Sequence, residues 1–376
     1  MSVYLDNSAT TKPCQAAVKK ALEMMERTFG NPSSLHMCGI EAKKELDEAR
    51  RTLSKFLSCN DSEIYFTSGG TAANNTAIFG TARAKRREGK KIVTTLLEHP
   101  SVLKHFELLE SLGFEAVYLK PDKNGKVSLD SISNAVDANT VLVSIMAVNN
   151  EVGSIQEISK IKEIINNKKS AAYFHCDAVQ AFGKIPLSPR KLGIDLMSIS
   201  GHKIHGIKGA GALFVDRNVR LLPSILGGGQ ENGLISGTEP MPAICAFAAA
   251  VNDIGNIEKN LEKATELRDY FLEKIKNIDG ITLNSPSDAL PYIINISVKG
   301  VPSQVMLNAL SAEGIYVSAG SACSKGHRSG VLSSMGVNAA QIDSAVRISL
   351  SKSTDEKDMD LLYNGIADTV KRVRRK

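Results

Sequence analysis

Lys203 has the most pointed chemistry in this sequence. It stands in Ser200-Gly201-His202-Lys203-Ile204-His205-Gly206, directly after the apolar run 196–200, which reads as a strand. Burial there would lower the lysine's proton affinity and make its amine a Schiff-base nucleophile. A loop lysine by itself is more often solvated, so the reading rests on its neighbours. Asp177 follows the strand-like stretch 171–175, where a carboxylate can hold a proton on a ring nitrogen or simply cap a helix. Gln180 lies three residues on, able to face the same ligand or solvent. Ser68-Gly69-Gly70-Thr71 forms a strand-to-helix turn whose small residues let backbone N–H groups approach a phosphate, although many such turns carry Gly and Thr for geometry alone. His99 follows another strand and offers a flat ring.

The second half adds a thiol and a guanidinium. Cys323 sits in Ser318-Ala319-Gly320-Ser321-Ala322-Cys323-Ser324-Lys325-Gly326-His327, a run of small and polar residues that favours exposure. Lys325, His327 and Arg328 would favour its thiolate. A single cysteine is usually an inert core residue, and the polar neighbours argue against that here. Arg347 lies on a strand near 345–350, where it fits either a structural ion pair or a two-pronged clamp on a carboxylate. Taken together, the first group answers the demands of pyridoxal phosphate (PLP). An aldehyde needs an amine, a pyridine nitrogen needs a carboxylate, a phosphate needs N–H and hydroxyl donors, and the ring needs a flat neighbour.

The elements that must position these residues alternate. Helices are expected over 14–28, 39–57, 70–87, from Pro100, and over 156–167. Strands are expected over 64–67, 91–96, 115–119, 140–148, 171–175, 196–200 and 210–215. This is the pattern of an α/β protein, with a parallel-rich sheet covered by helices on both faces. A long helical region spans 240–276, and a smaller α+β unit follows with strands at 291–297, 315–318 and 346–350, a helix at 302–313 and a last helix from 354.

Bulk composition sets the outer limits. The 376 residues are 43% hydrophobic and 23% charged, ordinary globular values with room for two domains. The net charge of +6 is mild, and no RNA-binding motif is visible, so direct nucleic-acid binding is not expected. Much of the excess lies in Lys371, Arg372, Arg374, Arg375 and Lys376, a solvated helix end. The six cysteines form no C-x-x-C pair, so no metal site is expected. The absence of a signal-like N-terminus or an apolar run of ~18 residues makes a cytoplasmic protein without a membrane span the expectation.

These residues bring the chain into resemblance with a family. It resembles the cysteine desulfurases of the class V aminotransferase group, PLP enzymes of fold type I, over essentially its full length. The resemblance is carried by Tyr4 to Thr11, Gly30-Asn31-Pro32-Ser33-Ser34, Phe66 to Thr71, Glu98-His99, Val148 to Gly153, His175 to Gln180, Ser198 to Gly206, Gly227 to Glu231, Ser236-Gly237-Thr238, Ser321-Ala322-Cys323 and Val346 to Leu350. It implies a large domain, 15–255, with a mostly parallel seven-stranded sheet flanked by helices. A smaller α+β domain, 1–14 with 256–376, would carry the catalytic cysteine.

The resemblance also implies roles. Lys203 would hold PLP as a Schiff base, Asp177 would pair with the pyridinium nitrogen, and Gln180 and Asn150 would lie at the ring hydroxyl. Gly70, Thr71, Ser200 and His202 would cup the phosphate, with Thr238 reaching it from the other subunit of a homodimer. His99 would stack on the ring and help Lys203 move a proton. Arg347 and Asn31 would hold the carboxylate of L-cysteine. Cys323 would accept the sulfur and pass it to an acceptor protein, an iron–sulfur scaffold or a tRNA-thiolation enzyme. The Ser-Ala-Cys loop is similar to that of the housekeeping-type subgroup. Two features depart from the family pattern. Asn232 and Ile235 stand where it usually has arginine, and the loop after Cys323 is a little short. A selenocysteine lyase, or a PLP-binding scaffold weakened in catalysis and acting through partners, is the alternative.

Overall fold

The structure is a computed structural model that describes residues 2–319 and 328–374. Its strands, in chain order, are β1 (Val3–Tyr4), β2 (Ile64–Thr67), β3 (Lys91–Thr95), β4 (Glu115–Leu119), β5 (Thr140–Ser144), β6 (Tyr173–Asp177), β7 (Leu196–Ser200), β8 (Gly211–Val215), β9 (Ile281–Leu283), β10 (Ile293–Val298), β11 (Ile315–Tyr316) and β12 (Ala345–Ser349). Among the described residues, seven of them form one sheet in the order β2-β8-β7-β6-β5-β3-β4. Pairing is parallel from β7 to β4, and β8 alone runs against its neighbours. The parallel-rich sheet expected from the alternating elements is therefore present.

The strand directions explain where function can sit. The carboxyl ends of β2, β3, β5, β6 and β7 all open on one edge, the usual ligand-binding edge of an open α/β sheet. The segments 68–71, 96–99, 145–151, 178–180 and 201–203 leave from that edge. Behind it, β5, β7 and β8 are buried at every position, as strands covered on both faces must be. The helix Gly70–Lys85 presses Ala73, Ala77 and Gly80 against its neighbours, and these small side chains allow the close approach. Phe182 joins Phe56 and Phe247 through edge-to-face ring contacts, with centroids 5.1 and 6.1 Å apart. A Cβ on Gly201 would meet Phe247 Cγ at 2.9 Å. That glycine lets the turn 201–203, which carries Lys203, lie tight on the core.

The smaller unit contains the antiparallel sheet β12-β10-β9 and the parallel pair β1-β11, packed by the helices Ser303–Ala312 and Glu356–Arg374. The chain's beginning is fastened here, since β1 pairs with β11 and Asp6 bridges to Ser349.

Several expected bounds are corrected. The helical region 240–276 is two helices, Met241–Asn252 and Ile257–Ile275. They are separated at Gly255 (φ +75), after which Asn256 caps the second helix by accepting from Lys259 N. The strand expected over 140–148 ends at Ser144, and 145–148 continues along the sheet edge into the site. The helix expected over 156–167 begins as a 3-10 turn at Ile158 and is α-helical only from Ile161. The strand expected over 171–175 lies at 173–177 instead, and no helix follows it. Asp177 is therefore the last strand residue and caps no helix. The strand expected over 315–318 ends at Tyr316.

Candidate active site

A cavity of about 1310 Å³ opens at the carboxyl edge of the sheet, where it meets the smaller unit. It brings together Gly70, Thr71, His99, Asn150, Asp177, Gln180, Ser200, His202, Lys203 and Arg347. Asn31 and Thr238 do not line it. Both are exposed, and Asn31 Oδ1 is occupied by Ser33 N at 2.9 Å. Asn232 and Ile235 are also absent from the cavity wall. Asn232 is exposed with φ +53, and Ile235 packs half-buried beside Leu234. The neighbouring Glu231 is gripped by Arg50 and Phe66 N, which tie this loop to β2.

The amine of Lys203 donates to the carbonyl oxygens of Ser8 and, at 2.7 Å, Ala9. Burial, and then the positive charge of Arg347, lower its pKa to about 8. An appreciable minority of the amine is therefore free near neutral pH, as a Schiff-base nucleophile requires. Asp177 is held from two sides: Oδ2 accepts from Asn74 Nδ2 at 2.7 Å and Oδ1 from Val179 N at 3.0 Å. Asn74 also donates to Ser101 Oγ at 2.8 Å, and that hydroxyl lies 2.8 Å from His99 Nδ1. Burial lowers the His99 pKa, so the ring is neutral. Because Nδ1 accepts from Ser101 N at 3.1 Å, the ring proton sits on Nε2. A chain of bonds through Asn74 and Ser101, which lie on two different helices, thus orients both the carboxylate and the imidazole.

The opposite end is shaped for an anion. A Cβ on Gly70 would meet Val179 Cγ2 at 2.7 Å, so the helix start comes close only because residue 70 has no side chain. The buried Ser200 Oγ beside it has no hydrogen-bond partner. The imidazole of His202 is bonded to Thr10 Oγ1 at 3.1 Å, and its pKa falls to about 4, through burial first and then the charge of Lys203. An unpartnered hydroxyl, a glycine cradle at a helix N-terminus and a neutral imidazole suit a phosphate. With the Lys203 amine and the Asp177 carboxylate, the donor set fits PLP.

Arg347 reaches across from β12. It donates to Asp6 Oδ1 at 2.7 Å and to Asn150 O at 3.1 Å, while its buried Nε has no partner. Of the two alternatives in the sequence, the ion pair is present. Arg347 also exchanges backbone bonds with Ser318. Cys323 lies outside the described residues. The last stretch before it and the first after it contribute Ser318 and Gly330 to the cavity wall.

Four contributors escaped sequence reasoning. Asn74 sits one helical turn beyond Gly70, a spacing that could have suggested it. Ser8 and Ala9 act through backbone carbonyls, which no side-chain pattern reveals. Glu98 lies under the cavity floor, where Oε1 accepts from Met146 N at 2.8 Å and Oε2 is buried without a partner. Burial raises its pKa to about 8. The folded chain therefore holds this proton more tightly than the unfolded chain. The resulting stability is complete below the ordinary carboxyl range and is lost as pH rises through about 8. Glu98→Gln is expected to melt progressively higher than wild type, by about 2 °C or more, as pH rises from about 6 to 9. Scanning calorimetry across that range checks it.

A parallel-rich sheet whose carboxyl edge presents a lysine amine, a fixed carboxylate and a phosphate cradle defines an α/β enzyme built around a pyridine cofactor. The chain belongs to the aminotransferase class-V family, whose model matches residues 3–362. Members of this family use PLP. A protein named cysteine desulfurase IscS from Methanosarcina thermophila is 40% identical over 99% of this chain and 93% of its own length. A solved structure titled NifS-like protein superposes with a TM-score of 0.94 at 35% identity, covering 99% of this chain and 100% of that one. Another, titled SspA in complex with cysteine, gives 0.83 at 32% identity, covering 93% of this chain and 99% of that one. Among the described residues, no group of His, Cys, Asp or Glu side chains could hold a metal ion, and no helix is long and apolar enough to cross a membrane.

Proposed function

We propose that this chain is a PLP-dependent cysteine desulfurase. The observation that carries the reading is the meeting of Lys203, Asp177 and Arg347 in one cavity whose wall includes residues on either side of the Cys323 segment. Relatives that bear this activity in their names, at 40% identity over nearly the whole chain, support it. So does the neighbour whose title records bound cysteine.

Each side chain then has a task. Lys203 and Asp177 would hold the cofactor, with Gln180 and Asn150 serving its ring oxygen. Gly70, Thr71, Ser200 and His202 would receive its phosphate, and His99 would cover its ring. The bound cofactor supplies an electron sink for charge that develops at the substrate's Cα. Arg347 orients the carboxylate of L-cysteine. Lys203 Nζ takes the α-proton and His99 assists its transfer. The Cys323 thiolate attacks the substrate sulfur. A sulfur–sulfur bond forms as the Cβ–S bond breaks, Cβ gains the proton equivalent that the Cys323 thiol gave up, and Lys203 returns the α-proton to Cα. L-cysteine and the enzyme thiol give L-alanine and an enzyme persulfide, with atoms and electrons balanced.

The division into 15–255 and 1–14 with 256–376 fits this scheme, since the second unit supplies Arg347 and Cys323. A homodimer would account for the side chains left outside the cavity. Asn31 and Thr238 lie near Phe29, Leu35 and Leu226 in sequence, apolar residues 72%, 94% and 79% exposed. The persulfide would pass to an acceptor protein, an iron–sulfur scaffold or a tRNA-thiolation enzyme, in the cytoplasm.

The deciding experiment follows alanine and persulfide formation from L-cysteine by the PLP-loaded protein. Equal amounts of both in a single turnover are expected. Bound cofactor without alanine would overturn the reading in favour of a scaffold.

A further inference from the structure

The scheme above gives no task to the buried amine of Lys184. Lys184 is 8% exposed, four residues after Gln180 on the run of turns that follows β6. Its amine donates to Gln180 Oε1 at 3.1 Å. It also borders a small cavity of about 40 Å³ beneath the active site, shared with Lys203, His205 and Lys352. That volume suits a water or two and nothing larger.

The surroundings of Lys184 favour no positive charge. Lys203 and His205 face it from the turn after β7, Arg347 acts on it from β12, and Lys352 follows β12. The charge of Lys352 is already paired with Asp253. No carboxylate compensates Lys184, and burial and the two neighbouring cations bring its pKa to about 7. An apolar side chain would avoid this cost. The hydrogen bond it makes accounts for a lysine here.

Gln180 sits between two partners of opposite kind. Its Nε2 donates to the carbonyl oxygen of Ser8 at 3.0 Å, the same oxygen that accepts from Lys203. Its Oε1 accepts from Lys184. Only one orientation of the amide satisfies both, and it leaves the second Nε2 hydrogen free on a residue that lines the active-site cavity. Without Lys184, Oε1 would be buried with no donor, and the Ser8 carbonyl alone would hold the amide.

We propose that Lys184 is a positioning residue, which fixes the Gln180 amide with its nitrogen turned toward the cavity so that it donates to the ring oxygen of the bound cofactor. The assignment rests on the cofactor-dependent reading given above and deepens it.

The test compares full-length wild type, Lys184→Met, Lys184→Arg, Gln180→Leu and the Lys184→Met/Gln180→Leu double variant. Each is read out by its PLP dissociation constant and by the pH midpoint of the visible absorbance change of the loaded protein. Lys184→Met is expected to weaken PLP binding about 5- to 30-fold, the loss of one buried hydrogen bond. It is also expected to raise the midpoint, because a cation near Lys203 and a donor to the ring oxygen are both lost. Lys184→Arg, which keeps a donor, restores both values. In the Gln180→Leu background, Lys184→Met weakens PLP binding no further, and the midpoint rises only by the smaller part that the lost cation contributes. Unchanged affinity and midpoint in Lys184→Met, no rescue by Lys184→Arg, or an undiminished effect without Gln180 would each overturn the proposal. If Lys184→Met fails to fold, Lys184→Gln, whose shorter polar side chain falls short of the amide, takes its place. A wild type that binds PLP but makes no alanine would sink the desulfurase reading and leave these two readouts interpretable.

Discussion

Lys203→Ala is expected to abolish alanine formation, with a loss of at least about 10³-fold in kcat. Two functions end with one amine: the covalent hold on the cofactor and the base that takes the α-proton. The environment of Lys203 explains the size of the effect. An ordinary lysine is almost wholly protonated at neutral pH, whereas this one, with its pKa lowered to about 8, keeps an appreciable fraction free. The Ser8 and Ala9 carbonyls aim that amine. Methylamine added to the variant should restore part of the proton transfer and none of the covalent hold. Borohydride treatment followed by peptide mass analysis should attach PLP to residue 203 in wild type and not in the variant. Full activity in Lys203→Ala would remove the foundation of the mechanism.

Cys323→Ala is expected to lose persulfide formation by at least about 10³-fold, while PLP affinity and the absorbance of the loaded protein stay unchanged. The asymmetry is the informative part. The cavity groups that hold the cofactor all lie on described segments distant in sequence from residue 323, so removing its thiol should not disturb them. Rapid mixing with L-cysteine should still produce a change in absorbance as the substrate's α-proton leaves, with no alanine following. If persulfide appeared at the wild-type rate on another cysteine, the assignment of Cys323 as acceptor would fail. Cys14, Cys59 and Cys245 are poor substitutes, since burial pushes each of these thiols up, to about 12 for the last two.

Taken alone, the sequence determined the α/β class, the residues 64–67, 115–119 and 196–200 as strands, and ten of the residues that line the cavity. Each of those strands is a short apolar run, and several candidate residues stand at or just beyond the end of such a run. Local order therefore carries that information. It pointed to Asp177, Gln180, Ser200, His202 and Lys203, which stand at or just beyond the carboxyl ends of strands that open on one edge and line the cavity there.

Tertiary structure alone decided the rest. Asn74 gains its importance from a carboxylate 103 positions away. The pairing of Arg347 with Asp6 spans 341 positions. Whether Glu98 and Lys184 are buried depends on what packs over them, and burial is what moves their proton affinities. The same dependence explains Asn31 and Thr238. Local patterning is identical whether a residue faces its own chain's cavity or outward, and only the folded arrangement places both outside it.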